Sequence, residues 1–233
     1  MFTARKKLGL AALLLFAAFG VFVPDALAHG IAGKDADFVA NAEGVHIFPY
    51  LYLGAKHMVT GYDHLLFILG VIFFLYRLSH VALYVTLFSI GHSLTLLFGV
   101  IGEIHVDAYL VDAIIGLSVA YKGFDNLNGF ETLFGESPNE RLAVFIFGLF
   151  HGLGLATKLQ DLGLAEDGLL VNLVSFNLGV ELGQLVALIV FVLVLRFMPP
   201  RTTGSKVGTG VNIGLVIAGF TLMAYQLALY LNN

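Results

Sequence analysis

His57, Asp63 and His64 fall within GAKHMVTGYDHLLF, residues 54 to 67, at the head of a long apolar stretch. Imidazole and carboxylate groups bind transition metals or move protons, and inside an apolar segment each needs a partner or water. On a helix, His57, Thr60, Gly61 and His64 recur at i, i+3, i+4 and i+7, which places both imidazoles on one face. Asp63 lies about 100° from His64 on the same wheel. It is therefore either a further ligand or an acceptor that orients a histidine. Comparable groups recur downstream. His92 stands with Thr86, Ser89 and Ser93, Asp112 stands alone, and His151 sits in FGLFHGLGLA. Asn177, Glu181 and Gln184 follow in FNLGVELGQL at i, i+4 and i+7.

The elements that must position these residues are set by composition. The chain has 233 residues, 58% hydrophobic and 12% charged, with a mean hydropathy of +0.90. Soluble domains carry about 25% charged residues, so the expected class is an all-α membrane protein. The net charge of −4 comes with no basic block, so nucleic acid is not an expected partner. There is no cysteine, which excludes disulfides, thiolate metal sites and cysteine nucleophiles.

Arg5, Lys6 and Lys7 precede an apolar run from Leu8 to Val23, followed by an A-x-A arrangement at Ala26 and Ala28. Residues 1–28 therefore read as a signal peptide cleaved after Ala28, which makes His29 the mature N-terminus. A short extracytoplasmic segment, 29–45, then leads to a six-helix transmembrane domain, 46–233. The expected spans are about Tyr52–Tyr76, His80–Ile101, Asp107–Phe124, Glu140–Lys158, Gly168–Phe197 and Val211–Leu231. With the N-terminus outside, inner segments carry Arg77, Lys122, Arg141, Arg196, Arg201 and Lys206, and outer ones Lys34, Lys56 and Lys158. That excess agrees with the positive-inside rule. The expected location is a bacterial inner membrane with both termini on the periplasmic side.

In that topology His57, Asp63, His64, His92, Asp112, His151 and Glu181 all fall in the outer half of the bilayer. Convergence of polar groups from five helices on one level is the signature of a site. Gly148-x-x-x-Gly152 and Gly179-x-x-x-Gly183 bracket His151 and Glu181 and let helix backbones approach. The expected metal set is His57, Asp63, His64, His92, His151 and Glu181, with Asp112, Asn177, Gln184 and His29 as additional candidates. Nitrogen and oxygen donors without sulfur suit nickel, zinc, cobalt, iron or copper(II).

The motifs GAKHMVTGYDHLLF, FSIGHSLTL, GLFHGLGLA and FNLGVELGQL occur in this order, and at them the chain resembles the HupE/UreJ family of bacterial membrane proteins. The resemblance implies six helices after signal removal and an association with nickel uptake for hydrogenase and urease maturation. It also implies that His57, Asp63 and His64 form a first-helix metal motif and that His151 is the fourth-helix histidine. Met58 stands where the better-known nickel-associated members have proline, and Leu155 where they have a second histidine. The chain looks more like the second branch of the family.

Three functions fit the residues. The leading one is a secondary permease or binding protein for a divalent transition metal, nickel first. The absence of a GxxxxGK[ST] loop removes ATP hydrolysis by this chain. A second is a zinc-dependent intramembrane hydrolase, in which the metal activates water and Ser89 or Ser93 stabilises an oxyanion. A third is a metal sensor or assembly partner, with His29 chelating copper(II). The expected partners are the metal ion and the lipid bilayer, and a homo-oligomer is compatible with all three.

Overall fold

The computed structural model describes residues 31, 33–75, 78–198 and 204–232, so the signal segment and His29 lie outside the described residues. These residues form α1 (Lys34–Asn41), α2 (Ile47–Thr60), α3 (Tyr62–Ile72), α4 (Leu78–Ile101), α5 (Ala108–Asn126), α6 (Gly129–Phe134), α7 (Glu140–Asp161), α8 (Leu169–Phe197) and α9 (Lys206–Asn232). No strand occurs among them. Helices α4, α7, α8 and α9 are long and apolar enough to cross a bilayer. Their outward faces are apolar as well, with Phe98, Leu182, Ile189, Leu193 and Ile217 exposed.

The helix ends follow from local chemistry. Asp107 caps α5 by accepting the Leu110 N–H at 3.0 Å, and Asn139 caps α7 by accepting that of Leu142 at 3.2 Å. The connection between α5 and α7 contains the short α6, which ends at Gly135 in the left-handed region, φ 82°.

The expected first helix is not continuous. It breaks at Gly61, whose ψ of 108° is extended, into α2 and α3. Gly61 still donates to the His57 carbonyl at 2.9 Å and accepts from Leu65 at 3.1 Å, so the chain bends without abandoning its backbone bonds. Its φ of −72° suits any residue. What demands glycine is space. A methyl group there would stand 2.7 Å from His64 Nδ1 and 3.0 Å from Asp63 Oδ1.

The long helices pack as close pairs with glycine at the crossings. Gly179 lies against Leu51 and Ala55, and Gly183 against Ala55 and Met58, so α2 and α8 run parallel. Gly148 lies against Phe88, and Gly152 against His92 and Thr95, so α4 and α7 also run parallel. Gly123 faces Asn212 while Gly116 faces Gly219 and Met223, so α5 and α9 run antiparallel. Helix α3 packs between these pairs, touching α4, α5, α8 and α9. In lipid such contacts rest on close van der Waals packing, because no apolar surface is gained from water.

The glycines at the crossings have no room for a side chain. A methyl group at Gly179 would stand 2.0 Å from the Leu51 carbonyl oxygen, whereas one at Gly214 meets nothing within 4 Å. Gly179→Ala is therefore expected to destabilise the bundle by roughly 1–3 kcal/mol through overpacking. Gly214→Ala is expected to be neutral or slightly stabilising through helix propensity. Reversible unfolding in mixed micelles checks both, and equal stability of the two variants would contradict the packing described.

Candidate metal centre

The break at Gly61 starts α3 with Asp63 and His64 in its first turn, both buried. Asp63 Oδ1 accepts the His64 backbone N–H at 2.8 Å and lies 2.9 Å from His64 Nδ1. A carboxylate at a helix N-terminus is favoured by the exposed N–H groups there. Because the carboxylate can only accept, the His64 Nδ1 carries the proton and Nε2 carries the lone pair. Carboxylate and carbonyl partners of this kind orient metal-binding histidines and raise their basicity.

His151 is set in the same way from α7. Its Nδ1 donates to the Phe147 carbonyl at 2.7 Å, which leaves the lone pair on Nε2. The ring of His64 lies 4.8 Å from that of His151, 5.0 Å from that of His57 and 6.1 Å from that of His92, centroid to centroid. The ligand atoms of His57, His64 and His92, and those of Asp63, His64 and His151, all lie within 4.8 Å of one another in each group. His64 belongs to both. Nitrogens around a tetrahedral ion with bonds of about 2.05 Å are roughly 3.3 Å apart, so side-chain adjustments of about an ångström would close either group around a metal.

The surroundings are apolar. Phe88 packs against His64, His92 and His151, Phe67 against His151, and Phe176 against His57. Buried polar atoms are ordinarily hydrogen-bonded. Here Nε2 of His57, Nε2 of His64 and both ring nitrogens of His92 are buried and make no hydrogen bond within the protein. Unpartnered nitrogens on three imidazoles in one apolar pocket are costly, and a metal ion that took one lone pair from each ring would relieve most of that cost. The donor set fits such an ion.

The remaining sequence candidates divide. Asn177 is buried beside His92, with its amide facing the ring. Gln184 is buried, and its Oε1 accepts from Ser89 Oγ at 2.6 Å. That bond engages the Ser89 proton, which the hydrolase reading assigned to an oxyanion. Asp112 is held by Lys158 Nζ, 2.9 Å from Oδ1 and 2.7 Å from Oδ2, so its charge is balanced by an ammonium. Glu181 does not join the cluster. It is exposed on the outward face of α8, flanked by exposed Leu178, Leu182 and Leu185. Asn177, Glu181 and Gln184 lie within about 60° on the helical wheel, and the edge of the face that packs on α2 through Gly179 and Gly183 falls between Glu181 and the other two.

Residues the sequence reading missed lie at the other end of the bundle. Lys122 is buried, 2.9 Å from Asp125 Oδ2 and paired with Glu140, which also accepts from Tyr84 at 2.7 Å. The sequence reading counted Lys122 as a flanking inner charge. Its place within SVAYKGF, three residues before Asp125, was the available signal.

Comparison with known proteins bears on this geometry. The family model described as HupE / UreJ protein matches residues 33–233. The chain belongs to the HupE/UreJ family. This family is associated with nickel or cobalt transport or an accessory role in it. No curated protein and no solved structure matches the chain. Of the two departures noted in the sequence, Met58 and Leu155 are both fully packed core residues, 0% and 3% exposed.

If Asp63 orients His64 and Gly61 makes room for the pair, small changes there should weaken metal binding without unfolding the bundle. Asp63→Asn and Gly61→Ala are each expected to lower affinity for nickel or zinc by about 10–100-fold, the range seen when outer partners of metal ligands are removed. Isothermal titration on purified protein measures this. Wild-type affinity in both variants would remove Asp63 and Gly61 from the centre.

Proposed function

We propose that this HupE/UreJ protein is a permease that carries a divalent transition-metal ion, nickel first, inward across the bacterial inner membrane. The cluster around His64 is its binding site. The observation that carries this reading is His64 itself: one imidazole, buried mid-bundle on a broken helix, shared by two groups of potential ligands. Discontinuous helices place ion and substrate sites near the bilayer midplane in many secondary transporters. A resident structural metal would instead be expected on continuous, fully satisfied elements.

The topology that goes with this reading has six spans. Helices α2 and α3 together form the first, α4 the second, α5 the third, α7 the fourth, α8 the fifth and α9 the sixth. The pairing directions support it. Spans one and five run parallel, as do two and four, while three and six run antiparallel, which is the parity that six alternating crossings require. With the signal peptide removed, both termini then lie on the periplasmic side. The Asp112–Lys158 pair marks the periplasmic end of the site, about 10 Å beyond His151 along α7 at 1.5 Å per residue.

In this mechanism the ion is captured by His57, His64 and His92, whose buried lone pairs replace its water. It then passes to the second group, Asp63 and His151, while remaining on His64. Asn177 is near enough to complete the shell through its amide oxygen. Histidine and carboxylate ligands bind metals only when deprotonated, and the bonds to Asp63 and to the Phe147 carbonyl already place the lone pairs of His64 and His151 on Nε2, so the site is set to bind without first giving up a proton. Nickel, cobalt, zinc and copper(II) all suit these donors, and family membership favours nickel or cobalt.

The test is cellular accumulation of nickel and cobalt. His64→Ala and His151→Ala are expected to reduce it at least about 10-fold, with the proteins present in the membrane at normal levels. Glu181→Gln is expected to leave it unchanged. Full accumulation by His64→Ala would rule the permease out, and loss in Glu181→Gln would place the path elsewhere.

A further inference from the structure

At the end of the bundle opposite the Asp112–Lys158 pair, the chain buries a second set of charges that the metal centre does not use. Lys122 on α5 is 4% exposed. Its ammonium is shared between Asp125, at 2.9 Å, and Glu140 at the start of α7. The second oxygen of Glu140 accepts the Tyr84 hydroxyl from α4 at 2.7 Å. Three separate helices thus meet at one carboxylate. An isolated buried lysine is strongly disfavoured, so its position is held by these partners.

The same cluster grips α3, the helix that carries Asp63 and His64. The Lys122 stem packs on Gly70, where an added methyl would stand 3.1 Å from Lys122 Cγ. The adjacent Asn126 donates to the Gly70 carbonyl at 2.8 Å and to Asn212 on α9 at 2.8 Å. His64 and Gly70 are six residues apart on α3, about 9 Å at 1.5 Å per residue. Between the two levels lies a small cavity of about 10 Å³ lined by Phe67, Ile68, Tyr84, Phe88 and Val144 among others. That volume admits at most about one water. It begins at Phe88, which packs on the histidines, and ends at Tyr84, which is bonded to Glu140.

We propose that the Lys122–Glu140–Tyr84 cluster is the latch that closes the inner side of the ion path, resting on the permease reading above. Opening requires the Lys122–Glu140 pair to separate. That parts α5 from α7 and Tyr84, lets the end of α3 that Lys122 and Asn126 hold at Gly70 move away with α5, and widens the apolar cavity into an exit from the His64 site. A simple staple across the α5–α7 connection would use the same ion pair but would not control access to the cavity.

The absence of native cysteine makes the distinction measurable. Ile68→Cys places one thiol in the cavity wall, and a membrane-impermeant maleimide is applied to inside-out vesicles. Slow labelling is expected in the otherwise native chain. At least tenfold faster labelling is expected when Lys122→Gln or Glu140→Gln is added. The conservative change Lys122→Arg is expected to keep labelling slow. Equal labelling in all backgrounds overturns the latch, and so does a rise of the same size in Lys122→Arg. Labelling needs no transport. Latch-dependent labelling in a chain that accumulates no metal would therefore defeat the permease reading alone, and normal accumulation with invariant labelling would defeat the latch alone.

Discussion

Everything at the centre of this protein depends on one carboxylate and the helix start it occupies. Asp63 accepts from the backbone and the ring of His64, and both are possible only because the chain breaks at Gly61. A continuous helix would satisfy its own N–H groups and turn Asp63 away from the imidazole. The break supplies an N-terminus inside the apolar region, which stabilises the negative charge. The charge in turn fixes which nitrogen of His64 offers its lone pair. The remaining histidines are arranged around that nitrogen by helices that would otherwise have no reason to converge.

Convergence is produced by glycine. Paired helices approach until backbone meets backbone at Gly54, Gly179, Gly148, Gly152 and Gly219. One of these contacts sets the candidate metal centre directly. Gly152 abuts the His92 carbonyl, so His92 and His151 are brought to one level by the same crossing that holds α4 to α7. The site and the packing are therefore not separable. Widening the crossing would move two histidines of the cluster as well as loosening two helices.

The sequence disclosed a good part of this. Apolar segments and their approximate limits were readable from length, and the histidines within them stood out, because lipid imposes long helices and makes every buried ionisable group conspicuous. The rings of His57 and His64 lie 5.0 Å apart, across a break and not along one continuous face. Glu181 was grouped with the site because helical spacing gives a face but not its direction, and α8 turns that carboxylate outward. Lys122 was missed for the opposite reason. Positive charge near a helix end reads as a topological marker, and only the folded chain shows it buried against Glu140 and Asp125.

Viewed along the bundle, polar groups occupy three levels: Asp112 with Lys158, the histidine cluster, and Lys122 with Glu140. An ion path with a closure on either side of its site would be arranged in this way, and the account stands or falls on the middle level. The most direct measurement is the metal content and coordination of the purified protein by elemental mass spectrometry and X-ray absorption, for wild type and His64→Ala. The account expects about one equivalent of nickel or a neighbouring transition ion per chain, in a nitrogen- and oxygen-donor shell containing several imidazoles, and its loss in His64→Ala. Wild-type protein that binds no transition metal after reconstitution would contradict it, and so would full retention of the metal by His64→Ala.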